Sequence, residues 1–206
     1  MGNPVYLRVD ASDLSEKIEA LRAVHTKHEF ELLMYRAFKR TGGRVKTILK
    51  QDIPKEYFAK PSWIGSTVGN PKTNMGGIGG AGVSCCIPID GTRGVLGQQF
   101  AAAGPRGRRG KGKAYKITAK MVKSGASTLP ATMDSYGGQP PFFAPGLGQT
   151  VFTRKSKARL PIVRVVGIGV PQMPVNRSEK DVQEDILDTL KKRIEHEHAY
   201  LISRCR

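Results

Sequence analysis

The chain has 206 residues, with 34 Lys and Arg against 17 Asp and Glu, which gives a formal net charge of +17. A chain of this length forms one domain, or one domain with a large insertion. It contains no apolar run of about 18 residues, which excludes a transmembrane helix, and its start lacks the apolar core of a secretory signal. A hydrophobic fraction of 39%, with 24 Gly and 13 Pro, indicates a folded core that carries long irregular loops.

Residues 1–64 are predicted to form a helical N-terminal part. A first amphipathic helix is followed by a second, which begins near His25–His28. Gly42 and Gly43 lie inside this second helix, where two glycines cost about 2 kcal/mol relative to alanine. The sequence therefore predicts a kink or break at these glycines, and a short new helix with Pro54 in its first turn.

Residues 65–175 are predicted to form a β-rich part with long basic loops. Gly65–Gly82 is rich in Gly, Asn and Thr, which is typical of a flexible loop. Val83–Ile89 and Ala114–Val122 have the composition of strands. The simplest arrangement of these two strands is a β-hairpin whose long arm ends in the basic, glycine-interrupted tip Gly104–Lys113.

Further strands are expected after a second long loop, Ser124–Gln149. Val151 begins one strand, and Leu160–Val170 is an apolar, β-branched segment that reads as another. Because proline cannot donate a hydrogen bond to a strand ladder, Pro161 is expected at the first residue of its strand or on a sheet edge.

Residues 176–206 are predicted to form a C-terminal helix that Ser178 caps. Acidic residues in its first turn and arginines in its last turns suit the helix dipole. One face carries a stripe of apolar residues at helical spacing, and burying each contributes about 1.5–3 kcal/mol. This core stripe consists of Val182, Ile186, Leu190, Ile194 and Leu201.

Together these patterns predict an α+β fold in a single domain, residues 1–206. A small mixed or antiparallel β-sheet would be packed by the N-terminal helices and by the C-terminal amphipathic helix. Long Gly- and Pro-rich loops and a basic β-hairpin arm would extend from this core.

The positive charge is concentrated in the middle of the chain. Between Gly91 and Val175 there are fourteen basic residues and one acidic residue, Asp134. Charge of one sign at this density indicates contact with a polyanion or with an acidic protein surface. The alternative is a set of solvated loops that aid solubility. The candidate contact residues are Arg106, Arg108, Arg109, Lys111, Lys113, Arg154, Lys155, Lys157 and Arg159.

No constellation of residues predicts a catalytic, cofactor or metal site. Residues 77–82 match G-x-G-x-x-G, but a loop precedes them and a strand follows, whereas dinucleotide binding needs a strand and then a helix. The four histidines lack a third ligand at metal spacing. Cys85 and Cys86 are adjacent in an apolar strand, where reduced, packed thiols of a cytosolic protein are expected. We therefore predict a protein that is not an enzyme and that holds no cofactor and no metal.

Two stretches of the chain resemble the phage minor tail protein Z family. Arg159–Ile162, R-L-P-I, is followed by a short apolar strand and by Val170–Met173, V-P-Q-M. The family's G-P-S-V-P pattern is altered here, with Ile168-Gly169 in place of Pro-Ser. Arg36–Thr41 resembles the family's A-L-N-R-T segment, with Phe38-Lys39 in place of Leu-Asn.

The resemblance implies a structural virion protein of a tailed bacteriophage. Such a tail-completion or minor tail protein would lie at the head-proximal end of the tail and help to join the tail to the neck. By family analogy it would form a homo-oligomeric ring, a hexamer, with tail-tube, tail-terminator or neck proteins as partners and DNA in the channel as a further candidate. It would be assembled in the bacterial cytoplasm and would not contact a membrane.

A second interpretation uses the charge without the resemblance. The chain would then be a stand-alone, non-enzymatic nucleic-acid-binding protein with a Gly/Arg-rich basic arm. Apart from Tyr115, the arm lacks the interleaved aromatic residues that base stacking needs, which favours phosphate contact over base recognition. A stand-alone binder would hold nucleic acid by itself at moderate salt, whereas a ring component would assemble with tail proteins.

Overall fold

A computed structural model describes residues 5–6, 14–75, 83–104, 116–130, 136, 139–144 and 147–204. The α-helices in these ranges are α1 Ser15–Val24, α2 Lys27–Glu56, α3 Pro61–Thr67, α4 Met173–Asn176 and α5 Glu179–Arg204. The strands are β1 Val5–Tyr6, β2 Lys72–Met75, β3 Val83–Cys86, β4 Pro88–Ile89, β5 Arg93–Val95, β6 Ala101–Ala103, β7 Thr118–Val122, β8 Gly125–Thr128, β9 Phe142–Phe143, β10 Val151–Arg154, β11 Ile162–Arg164 and β12 Val166–Gly169. A 3-10 helix, Val170–Gln172, joins β12 to α4.

The predicted α+β class is confirmed. Among the described residues the strands form several small sheets, in the orders β1–β4, β2–β3, β5–β12, β6–β7–β8 and β9–β10–β11. Each of these pairings is antiparallel. Short, separate sheets of this kind cannot bury their apolar faces alone, so they depend on the helices for their stability.

Helix α2 runs without interruption for 30 residues, so the predicted break at Gly42 and Gly43 is wrong. Gly42 is buried, and a Cβ atom there would lie 2.7 Å from Cys85 Sγ and 2.9 Å from Pro71 Cβ. The glycine therefore lets the β2–β3 pair lie directly against the helix. This packing outweighs the unfavourable helix propensity, because propensity is a weak prior that tertiary contacts override.

Helix α2 begins where the sequence predicts, near His25–His28, but its C-terminal end differs from the prediction. The N-terminus is fixed by a capping box, in which the Glu29 N–H donates to Thr26 Oγ1 at 3.4 Å and the Thr26 N–H donates to Glu29 Oε2 at 3.0 Å. Pro54 does not begin a new helix but lies in the last turn of α2. The turn persists because its neighbours Ile53 and Tyr57 are anchored in the core.

Of the two strands predicted to flank the basic arm, Ala114–Val122 is present in part as β7, whereas Val83–Ile89 is not its partner. β7 pairs with β6, where Ala102 lies opposite Ala119, and not with Val83–Ile89. β3 pairs instead with β2, which lies within the predicted loop Gly65–Gly82. The predicted loop Ser124–Gln149 likewise contains β8 and β9. Alanine and short polar stretches carry little strand propensity, so these strands depend on their partners rather than on local preference.

The predicted strand Leu160–Val170 is divided between two sheets. β11 lies at the edge of one sheet and begins immediately after Pro161, as expected for this proline. The buried residue Val165 stands between β11 and β12 and joins the two sheets. Its N–H donates to Val151 O at 2.9 Å, and its carbonyl accepts from the Leu96 N–H at 3.0 Å.

Two apolar clusters form the core, and α2 and α5 contribute to both. The larger cluster joins the second half of α2 and the start of α5 to the sheets through residues such as Leu49, Phe100 and Val182. The smaller cluster is helical and packs α1 against the first half of α2 and the middle of α5, with Leu33 and Leu190 among its members. The two long helices therefore run antiparallel along the molecule.

The core stripe of α5 is confirmed for four of its residues. Val182, Ile186, Leu190 and Ile194 are buried, whereas Leu201 is half-buried and packs against the smaller cluster. Ser178 precedes α5 and its carbonyl accepts from the Val182 N–H, but its buried hydroxyl has no hydrogen-bond partner among the described residues. The prediction that Ser178 caps the helix through its side chain is therefore wrong.

Candidate polyanion-binding surface

Of the two predicted clusters of contact residues, the structure describes the one at the tip of the β10–β11 hairpin. The two strands pair in antiparallel register, with Arg154 opposite Ile162, and residues 155–161 connect them. The connection is closed at its base by a hydrogen bond from the Lys155 N–H to Pro161 O at 3.4 Å. All four predicted contact residues of this tip are exposed: Arg154, Lys155, Lys157 and Arg159.

The base of this hairpin is held firmly, although its tip is exposed. Phe152 and Thr153 of β10 are buried, and Thr153 Oγ1 donates to Gln139 O at 2.9 Å. The guanidinium of Arg154 lies 5.2 Å from the centre of the Phe142 ring, within the range of a cation–π contact. The strand therefore presents the cations of the tip from a fixed base.

The cations of the tip are not neutralised by acids in the described ranges. None of the four is among the salt bridges found there, which lie on the helices. Asp90 is the one acidic residue described between positions 83 and 175, and its carboxylate accepts from the Thr92 N–H at 3.1 Å. The tip thus carries a local positive potential that the fold itself does not use.

The second predicted cluster lies outside the described residues. It comprises Arg106, Arg108, Arg109, Lys111 and Lys113. β6 and β7, which precede and follow this cluster in the sequence, pair in antiparallel register with Ala103 opposite Thr118. Lys120, on the exposed side of β7, lies 5.9 Å above the Phe58 ring.

Sequence reasoning missed a buried carboxylate on α5. Glu197 is 2% exposed, and Arg40 Nη1 lies 2.5 Å from its Oε1, close enough for an ion pair although not aligned as a hydrogen bond. Arg36 Nη1 lies 3.9 Å from Oε2. A signal existed, because Glu197 lies three residues after Ile194 and four before Leu201, at the helical spacing of the predicted stripe.

A second buried carboxylate lies where α2 meets α5. Asp52 is 1% exposed, and burial, together with the neighbouring Asp185 carboxylate, raises its pKa. The ammonium of Lys55 lies 2.8 Å from Asp52 Oδ1 and opposes this shift, although it also lacks the alignment of a hydrogen bond. Asp52 and Lys55 lie on α2 and Asp185 lies on α5, so this charged group lies where the two helices pack together.

Two histidines that are far apart in the sequence meet in the fold. His25 Nε2 and His198 Nδ1 are 2.8 Å apart, with the rings close to perpendicular, and the contact joins the end of α1 to α5. Within the described ranges no group of three or more His, Cys, Asp or Glu side chains could hold a metal ion.

Cys85 lies half-buried in β3, with its thiol beside Thr73 of β2. Burial raises the pKa of the Cys85 thiol, to which Thr73 Oγ1 donates at 3.6 Å, so this thiol is a poor nucleophile.

No helix in the described part of the chain is both long enough and apolar enough to cross a bilayer.

Comparison of the chain with protein-family models, with curated proteins and with solved structures found no match in any of the three. The resemblance to the minor tail protein Z family therefore stays a prediction that rests on its two sequence stretches. In the structure, Arg36–Thr41 lies within α2, and Arg159–Ile162 covers the end of the hairpin tip and the first residue of β11.

Proposed function

We propose that this chain is a structural, non-enzymatic protein of a tailed-phage virion that joins components by shape and positive charge. The observation that carries the proposal is the β10–β11 tip, where four exposed cations stand on a buried, fixed strand with no described acidic partner. Electrostatic repulsion between like charges does not stabilise the fold. A role in binding a partner of opposite charge therefore accounts for this arrangement better than a role in folding.

In this role the tip makes charge-assisted contacts with phosphates or with carboxylates of a neighbouring protein. Such contacts release bound counterions, position the partner and carry no base-sequence information. The fixed base limits the entropy lost on binding, because only the side chains of the tip have to become ordered.

The resemblance supplies the setting of the proposal. The chain would act as a tail-completion or minor tail protein in a homo-oligomeric ring, sixfold by analogy, at the head-proximal end of the tail. Its partners would be tail-tube, tail-terminator or neck proteins, with DNA in the channel as a further polyanion. It would be assembled in the bacterial cytoplasm and reside in the virion.

The same tip also supports a second candidate, a stand-alone nucleic-acid-binding protein. Electron microscopy of the purified chain, alone and mixed with tail-tube and neck proteins, separates the two candidates. Rings or co-assembly support the tail role. Tight binding of duplex DNA by a monomer that ignores tail proteins contradicts it.

The role of the charge is tested with a matched pair of variants. In the tip variant the four cations Arg154, Lys155, Lys157 and Arg159 are changed to Ala. The control variant removes the same number of exposed cations from α2 and α5: Lys27, Arg44, Lys180 and Lys192.

We expect the tip variant to lose co-assembly or DNA retention, while the control variant keeps it. An equal loss of co-assembly or DNA retention in both variants would show that the tip contributes only through the net charge of the protein. Full activity of the tip variant would show that the tip only aids solubility, and would leave the proposal without its main support.

A further inference from the structure

An open groove is lined by residues other than those of the charged tip, and it adjoins the larger core cluster through Trp63. Its volume is about 610 Å³, and it runs between α3 and the turn that follows β5. Small-molecule sites commonly have volumes of about 300–1,000 Å³. The groove is therefore large enough for an organic ligand, and its lining indicates which chemical class.

One wall of the groove is the indole of Trp63. This ring is half-buried and stands edge to face against Phe100, with the ring centres 5.6 Å apart. A Cβ atom at Gly94 would lie 2.6 Å from Trp63 Cη2, so the glycine is needed for the ring to sit where it does. The indole is thus a fixed aromatic surface in the groove.

The opposite wall carries amide side chains that are held in place. Gln98 Nε2 donates to Thr150 Oγ1 at 2.9 Å, and Gln99 Oε1 accepts from the Val95 N–H at 2.9 Å. An amide group offers two donors and an acceptor, so each glutamine keeps hydrogen-bonding capacity for a ligand. Gly97, with φ +85°, fixes the turn that carries both.

The lining is polar and nearly uncharged. Among the described residues that form it, Trp63 is the sole apolar side chain, Lys60 is the sole charged one, and Ser62 and Gln149 add neutral polar groups. A peptide would need several apolar pockets for its side chains, and a nucleic acid would need more cations along its backbone.

We propose that this groove binds a neutral carbohydrate. The C–H face of a sugar ring packs on the indole of Trp63, and its hydroxyl groups exchange hydrogen bonds with the amides of Gln98, Gln99 and Gln149. The hydrogen bonds that hold Gln98 and Gln99 favour such a ligand, because these two side chains lose little conformational freedom when it binds. The site is independent of the charge-based function, because it uses different residues.

The chain provides its own probe, because Trp63 is its single tryptophan. Indole emission of the full-length protein is followed while maltotetraose, cellotetraose or chitotetraose is added, with AMP and tetraglycine as comparison ligands. We expect a saturable change with at least one tetrasaccharide. A flat response to all three, or saturation by AMP or tetraglycine instead, overturns the proposal.

Variants then locate the binding. Gln98→Ala and Gln149→Ala should each raise the Kd about three- to tenfold, the effect of one lost hydrogen bond. Gln183→Ala, on α5 outside the groove, is the matched control and should leave the Kd unchanged. An unchanged Kd in both groove variants, with melting temperatures like that of the parent, would show that the sugar binds elsewhere.

Discussion

The α2–α5 helix pair and the β10–β11 tip both carry arginines, but they use them differently. On the helices, Arg36 and Arg40 face the buried carboxylate of Glu197, and Lys55 faces Asp52. At the tip, the cations face solvent and no described acid. The same residue types thus stabilise the fold in one region and remain free for a partner in the other. What separates the two roles is whether the fold supplies an opposite charge.

The most damaging change in the helical region is Leu190→Asp. It places an unpaired carboxylate in the smaller cluster and removes a buried side chain, so we expect a loss of at least about 4 kcal/mol of unfolding free energy. Denaturant unfolding measures it. Lys192→Asp, on the exposed side of α5, should change the stability by less than about 0.5 kcal/mol. Wild-type stability of Leu190→Asp would mean that the stripe is not buried.

The adjacent glycines of α2 provide a sharper test of packing. Gly42→Ala forces a methyl group against Cys85 and Pro71, so we expect a loss of about 1–3 kcal/mol. Gly43→Ala meets nothing within 4 Å, so helix propensity should make it more stable by about 0.5–1 kcal/mol. Thermal unfolding measures the Tm of both variants. A raised Tm in both would contradict the close packing of the β2–β3 pair on α2.

The buried Asp52 makes the stability of the helix pair depend on pH. Because its pKa is raised in the folded state, its contribution is fully present below the pKa of the unfolded chain, about 3.9 for Asp, and is lost as the pH rises through the folded value. We expect Asp52→Asn to raise the Tm at neutral pH and to lose this advantage in acid. Asp188→Asn, on the exposed face of α5, controls for the loss of one carboxylate. A lower Tm for Asp52→Asn at neutral pH would show that the Lys55 contact dominates.

The smallest effect on folding is expected at the hairpin tip. Changing its four cations to Ala removes no ion pair of the described structure and one cation–π contact at an exposed residue, Arg154 with Phe142, so the Tm should fall by a few degrees at most. In DNA binding, however, the slope of log K against log salt should fall by about 0.9 for each lost phosphate contact. An unchanged slope would mean that these residues touch no phosphate, and a large fall in Tm would assign them to the fold.

The periodicity of apolar residues in the sequence was sufficient to predict the most regular elements of the fold. The stripe of α5 and the class of the fold follow from local patterns, because the spacing of apolar residues along an amphipathic helix identifies its buried face. The exposed cations at residues 154–159 also follow, since a basic stretch next to a proline rarely lies inside a core.

What local patterns missed depends on contacts between distant parts of the chain. The continuity of α2 through Gly42 depends on Cys85, which lies in another element. The pairing of β6 with β7 depends on alanines that have little preference for a strand. The ion pair of Glu197 and the Trp63 groove arise only after helices and turns are brought together. No single stretch of sequence contains these facts.

The shared use of α2 and α5 has a mechanical consequence. A helix of 30 residues is about 45 Å long, and here both apolar clusters include residues of the same two helices, α2 and α5. Neither cluster can loosen while the other stays intact, so the described elements should melt in one step. A force applied at the sheets would be transmitted through α2 and α5 to the helical end, so we expect the described structure to behave as one stiff unit without a hinge between the two clusters.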